Sequence, residues 1–320
     1  MTFALSSLII FIWALGAVNQ ATRYPRFACT NQARPEKLCY NRASKTMPQK
    51  EHVGSDGLVA RDSGLWATEK LYYLDHYLDI FSVGMNKKWA GKLYYVDLFA
   101  GPGKCLIRES NEEIDGSPLI ALKFNFAKYF FVEFDEKRCR ALAARVKARA
   151  PEKDVEIVQG DCNDEIENIK LPPSSLGLAF IDPTGVSSLA FETIRKLARS
   201  RKIDLIINFP EGMGIRMNLH QYTQRERNAL NRFMGSATWQ ERQRQVPTSF
   251  DEMCKDIAKE YLANLKSLGY LAVDGDWIPV KTDRNSLLYY LLFASKHRRG
   301  NDFWRKIKRI DPHGQRQLFS

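Results

Sequence analysis

The chain lacks the marks of a metal site. Its six cysteines, Cys29, Cys39, Cys105, Cys139, Cys162 and Cys254, include no Cys-x-x-Cys pair and no Cys/His ligand spacing. No bound metal is expected, and scattered cysteines of this kind are the pattern of reduced thiols in a cytoplasmic protein. Acid is also in short supply. Lys and Arg number 48 against 37 Asp and Glu, a formal charge of +11 with a pI of about 9.3. That excess suits a polyanionic partner as readily as it suits an ordinary basic protein. Of the 320 residues, 44% are hydrophobic and 27% charged, enough for one large domain with a real core.

The long apolar run from Phe3 to Val18 lacks the basic residues that open a secretory signal, and it is slightly short for a membrane span. The stretch after it, to Lys50, is polar and basic, with no periodicity. A signal, a single membrane anchor and an over-extended reading frame whose true start is Met47 all fit. The third is the reading adopted, because the domain that follows calls for a cytosolic ligand, and residues 1–50 are set outside the fold.

The centre of the chain is Lys92-Leu-Tyr-Tyr-Val-Asp97-Leu-Phe-Ala-Gly101-Pro-Gly103-Lys104. An apolar strand runs into a glycine turn, where backbone can bend sharply and a ligand can approach it closely. Asp97 stands at the carboxyl end of that strand, and Phe99, Ala100, Gly101 and Gly103 form the turn. Lys104 to Asp115 reads as a polar loop, and Gly116-Ser117-Pro118 opens a helix with Ser117 as its cap. Upstream, Leu71, Leu74, Leu78 and Phe81 share one helical face; the helix either packs on the sheet or, with Trp66 and Lys70 at its start, closes over a ligand.

Further strands end in polar residues. Tyr129 to Asp135 ends in Glu133, with Asp135 as second choice, and a carboxylate there can accept ribose hydroxyls. Val155 to Asn163 ends in Gly160-Asp161, with Cys162 and Asn163 on the same wall; a helix cap is the alternative role for Asp161. Ser175 to Gly185 ends in Asp182-Pro183, and Ile203 to Gly212 carries Asn208 to the same edge. This alternation predicts a doubly wound, mostly parallel α/β sheet over 51–212. A helical insert over 213–268 carries Arg216, Arg225, Arg227, Arg232, Arg242 and Arg244 beside Trp239. Strands at Gly269–Val273, Trp277–Val280 and Leu287–Ala294, with a basic tail, complete the domain over 269–320. Arginine with interleaved aromatics suits phosphate and base contacts, and Arg216, Arg225 and Arg227 are the substrate candidates together with Asn208; an exposed solvated face is the alternative for any single Arg.

Read together, Asp97-Leu-Phe-Ala-Gly-Pro-Gly103, Gly116-Ser-Pro118, Glu133, Gly160-Asp161, Phe180-Ile-Asp-Pro183-Thr-Gly185 and Leu288-Tyr-Tyr-Leu-Leu-Phe-Ala-Ser-Lys-His297 resemble the three-Cys-motif partner family (TcmP), over roughly 64–310. The resemblance implies a Rossmann-like class I methyltransferase fold, S-adenosylmethionine as cofactor and a three-Cys-motif partner protein. On this view Asp97, Phe99, Ala100, Gly101, Gly103, Glu133, Asp161 and Cys162 hold the cofactor, and Asp182 with Pro183 places the methyl acceptor. Nucleic acid is the expected substrate class, from the charge and the Arg-rich insert. The opening motif is also similar to that of DNA cytosine-C5 methyltransferases, but the chain has no Pro-Cys pair to supply their nucleophile. Adenine amino-methyltransferases use Asp-Pro-Pro-Tyr-like motifs; here Thr184 and Gly185 stand in the last two places, which counts against an exocyclic amine as acceptor. The alternatives are an accessory nucleotide- or nucleic-acid-binding module of the same fold, and an enzyme acting on another nucleotide-type ligand.

Overall fold

The computed structural model describes residues 51–199, 202–225, 227–246, 248–271, 277–282 and 284–309. The N-terminal extension, Cys29 and Cys39, the last two residues of the strand expected at 269–273 and the end of the basic tail lie outside these residues. In chain order the elements are β1 (Glu51–Val53), β2 (Val59–Ser63), α1 (Trp66–Trp89), β3 (Leu93–Asp97), β4 (Lys104–Ile107), β5 (Glu112–Asp115), α2 (Ser117–Ala121), β6 (Lys128–Glu133), α3 (Glu136–Arg149), β7 (Val155–Gln159) and α4 (Cys162–Glu165). There follow β8 (Leu176–Ile181), α5 (Phe191–Ala198), β9 (Ile203–Phe209), a π turn (Glu211–Ile215), a 3-10 turn (Arg216–Asn218), α6 (Leu219–Gln224), α7 (Ala229–Met234), α8 (Thr238–Gln245), α9 (Phe250–Ser267), β10 (Ile278–Lys281), β11 (Leu287–Ala294) and α10 (Arg298–Lys308).

A seven-stranded sheet in the order β10-β11-β9-β8-β3-β6-β7 is the frame. Strands β3, β6, β7, β8 and β9 run parallel. The hairpin β10–β11 closes one edge, with β11 antiparallel to β9. The parallel strands are apolar on both faces, and β9 is buried along its whole length, because helices cover the sheet on either side. One face packs α1, α2, α3 and α10 around Tyr77, Phe81, Phe293 and Trp304. The other packs α5, α7 and α9 around Phe191, Phe209, Phe233 and Tyr261. Each fully buried side chain of this size contributes about 1.5–3 kcal/mol. The helices of 213–268 thus share the sheet's core.

Local chemistry sets the element ends. Helix α1 carries Glu69 in its first turn and Lys87 and Lys88 in its last, matching the helix dipole. It runs through Gly84, where an added Cβ would lie 2.6 Å from the Phe303 ring. Gly116, not Ser117, occupies the cap of α2, one residue earlier than the sequence suggests, and Pro118 sits in its first turn, where its missing N–H costs nothing. Ser249 and Glu252 close α9 with a reciprocal capping box.

The segment expected as a polar loop after Gly103 is instead the hairpin β4–β5. It joins a second, four-stranded sheet in the order β1-β2-β4-β5, with β2 parallel to β4. Its strands are only four residues long and half polar, so the pattern shows only once β2 pairs alongside.

Candidate functional site

In the large sheet, the chain steps outward from β3 through β6 to β7, then restarts on the other side of β3 at β8. The carboxyl ends of strands at such a switch point form the ligand crevice of open α/β sheets. Asp97, Glu133, Asp161, Asp182 and Asn208 all lie at that one rim, at or just beyond the ends of β3, β6, β7, β8 and β9.

The glycine turn is held open by its neighbours. Gly101 has φ +65°, and a Cβ built there would meet nothing within 4 Å, so its outer face is open. The Gly101 N–H donates to Glu133 Oε2 at 2.8 Å, while the Asp135 N–H donates to Glu133 Oε1 at 2.8 Å. The Ala100 N–H donates to the Val132 carbonyl at 2.9 Å. Glu133 thereby ties the turn to β6 and keeps a lone pair on each oxygen for a ligand. Phe134, next in the chain, is 64% exposed, an unusual place for a large aromatic and a flat surface beside the turn. Phe99 is half-buried at the start of the turn.

From below, Arg145 of α3 braces the turn. Its guanidinium, 2% exposed, donates to Asp56 Oδ2 and Oδ1 (2.8 Å each) and to the carbonyls of Val59 (2.7 Å), Leu58 (3.2 Å) and Pro102 (2.6 Å). One side chain therefore binds the β1–β2 hairpin and the glycine turn together. The fork geometry of Arg suits this bidentate grip on Asp56, whose carboxyl it holds far below the usual range. Nothing in the sequence marks Arg145, which reads as one more charge on an amphipathic helix.

Asp97 is fully buried. Its Oδ1 accepts the Phe99 N–H at 3.1 Å, and its Oδ2 has no hydrogen-bond partner among the described residues. Burial pushes its carboxyl up to about 7 against the hydrogen bonds from Ser117 and Phe99, and the nearby Asp182 and Glu133 push the same way. A buried, unpartnered acceptor costs about 1–3 kcal/mol until something donates to it.

Asp182, 5% exposed, is the acid of the rim that meets two cations. Lys70 Nζ donates to its Oδ2 at 2.5 Å, Asn208 Nδ2 donates to its Oδ1 at 2.6 Å, and Arg61 Nη1 lies 3.8 Å from Oδ2. Burial alone pushes this carboxyl up. The Lys70 ammonium, then Arg61, and the hydrogen bonds from Lys70 and Asn208 outweigh it and hold the group below its ordinary value. Asp182 is thus a fixed carboxylate, unsuited to carry a proton away from a nucleophile. Lys70 reaches from α1 into the rim, and Arg61 of β2 joins it. Pro183 is buried behind them. Asn208 Oδ1 and Glu211 Oε2 are further buried acceptors with no hydrogen-bond partner among the described residues.

Other candidates stand elsewhere. Asp161 caps α4, accepting the Asn163 N–H at 3.0 Å, and Asp135 caps α3, accepting the Arg138 N–H at 3.0 Å. These are the helix-capping roles of such residues, and the Asp161 carboxylate remains half-exposed at the rim. The Cys162 side chain packs in the core under α4 instead of lining a wall. Asn163 is spent as a bracket: it donates to Ser188 O at 2.9 Å and accepts from the Ala190 N–H and the Thr193 hydroxyl. Arg216 is bound to Glu211 and Asp251, which raises its pKa, so it is not a loose phosphate ligand. Trp239 is 3% exposed with its Nε1–H on Asn231, so it offers no ring to a base. Arg225 and Arg227 are exposed. Among the described residues no cluster of metal ligands occurs, and no helix is long and apolar enough to cross a membrane.

No family model matches the sequence, and no curated protein does. Solved structures similar to the chain include a protein from Legionella pneumophila, at 11% identity over 74% of this chain and 89% of that one with a TM-score of 0.46. M. jannaschii TYW2 in complex with AdoMet aligns at 10% identity over 77% and 84% with a TM-score of 0.38. An rRNA methylase from Streptococcus thermophilus aligns at 11% identity over 70% and 94% with a TM-score of 0.39. At such identities and TM-scores no property of these proteins passes to this chain.

Proposed function

We propose that this chain is a class I methyltransferase that binds S-adenosylmethionine over the Gly101 turn. The observation that carries this reading is the pairing of an open, positive-φ Gly101 with Glu133, whose Oε2 accepts the turn's N–H while both its oxygens retain acceptor capacity. Ribose hydroxyls are donors that such a carboxylate takes, Phe134 supplies a face for a purine, and the half-exposed Asp161 carboxylate is an acceptor for its amine. Asp97 Oδ2, buried and unpartnered, is an acceptor suited to a cationic amino acid moiety. The sheet order, with a parallel core and an antiparallel edge hairpin, agrees with the class I arrangement. When bound, the cofactor supplies an electrophilic methyl group. The chain's own residues bind it, exclude water and hold the acceptor in line.

Nucleic acid remains the substrate class that the charge of +11 and the exposed Arg225 and Arg227 favour. A three-Cys-motif protein is the partner implied by the resemblance alone. The second reading, an accessory binding module, draws on the saturation of Asp182 by Lys70, Arg61 and Asn208. Calorimetry with S-adenosylmethionine separates fold from function: the parent binds and Glu133→Ala loses at least tenfold. Labelled methyl transfer to mixed DNA and RNA then tests catalysis, and binding without label in any acceptor fraction leaves the accessory module as the reading.

A further inference from the structure

We infer that the group methylated here brings a hydrogen-bond donor, and that Asn208 orients it through its side-chain carbonyl oxygen; this rests on the methyltransferase reading above. Asn208 is 6% exposed at the end of β9. Its amide orientation is set by chemistry. Asp182, held as a carboxylate by Lys70 at 2.5 Å with Arg61 at 3.8 Å, can only accept hydrogen bonds. Asn208 must therefore turn its NH2 to Asp182, which it meets at 2.6 Å. The opposite flip would set two acceptors face to face. The carbonyl Oδ1 is left pointing away from Asp182, buried and without a donor among the described residues.

Asn208 Oδ1 can only accept, so a group that docks against it has to bring the hydrogen. An alcohol would bring one, but its oxygen needs a base to take the proton as it attacks. Asp182 is pinned by two cations and Asn208 is not a base, so for an alcohol that part falls to Asp97 at the same rim, whose carboxyl burial pushes up to about 7. A neutral amine needs no base at that moment. Its lone pair forms the N–C bond, the methyl–sulfur bond breaks with its electrons left on sulfur as a neutral thioether, and the nitrogen then releases one proton to water. Lys70 and Asp182 are positioning residues in this arrangement, and Asn208 is the one that touches the acceptor.

Sinefungin, which carries an amine in place of the sulfonium methyl, and S-adenosylhomocysteine, which carries nothing there, are the probes. Calorimetry on the full chain is expected to show sinefungin bound at least tenfold more tightly by the parent. In Asn208→Leu the homocysteine compound binds as in the parent and the preference falls to within twofold. Asp182→Asn, which frees the amide to flip, gives an intermediate preference, and it replaces the Leu variant together with Asn208→Ala should that one not fold. A preference kept in full by the Asn208 variants, or absent from the parent, overturns the inference while the cofactor site stands. Failure of the parent to bind either compound overturns the methyltransferase reading and this inference with it.

Discussion

Replacing Lys70 by Met tests the electrostatic logic of the rim. The substitution keeps most of the apolar stem and removes the cation 2.5 Å from Asp182 Oδ2. Arg61, at 3.8 Å and 21% exposed, is the cation that remains. Removing one partner of a buried pair costs about 3–5 kcal/mol, a large share of the roughly 5–15 kcal/mol that holds a domain together. The pH dependence gives the sharper test. In the parent, the Asp182 carboxyl is depressed on folding, so its contribution is present above the unfolded value of 3.8 and fades as pH falls through the folded value. In Lys70→Met, burial is no longer offset and the folded value moves above 3.8, so the folded state binds more protons than the unfolded one. The stability difference between parent and variant should therefore shrink as pH is lowered from about 8 to about 5. Urea unfolding followed by circular dichroism at a series of pH values reads this directly. The double variant Lys70→Met/Asp182→Asn should recover part of the loss at neutral pH. Parallel pH profiles, or a double variant no more stable than Lys70→Met, refute the claim that Lys70 compensates a buried carboxylate.

Three other outcomes follow from the same geometry. Arg145→Met should destabilise by about 2–4 kcal/mol in urea, less than a fully enclosed pair because Asp56 is 31% exposed, and should speed hydrogen exchange at the Gly101 amide. Asp97→Asn should stabilise the protein above neutrality: a carboxyl raised from 3.8 to about 7 loses stability as pH rises between those values, a penalty of roughly 4 kcal/mol that the amide does not incur, read as thermal midpoints at pH 5 and pH 8. Phe134→Ala should weaken S-adenosylmethionine binding by about tenfold in calorimetry, the scale of one base–aromatic contact, while the unfolding midpoint barely moves because the ring is 64% exposed.

Much of the frame was legible in the chain. The strands ending at Asp97, Glu133, Asp182 and Asn208 are short apolar runs stopped by polar residues, and the Leu71, Leu74, Leu78 and Phe81 spacing announces α1. Those signals are local: two residues apart in a strand, three or four in a helix. The hairpin β4–β5 escaped because four-residue strands carry too little alternation to stand out from a polar loop. Arg216 and Trp239 looked available for nucleic acid because composition does not tell a tied guanidinium or a buried indole from a free one.

The sequence by itself determined which residues end the strands, and with them the acids gathered on one rim, because a sheet face must bury its apolar side chains and leave its polar ends at the edge. Only the tertiary structure decided what those residues can do. Lys70 reaches Asp182 across 112 positions, and Arg145 reaches Asp56 across 89. Whether a carboxylate is a base or a locked anchor depends on the charge and burial around it, which the folded chain brings together from segments that share no local pattern.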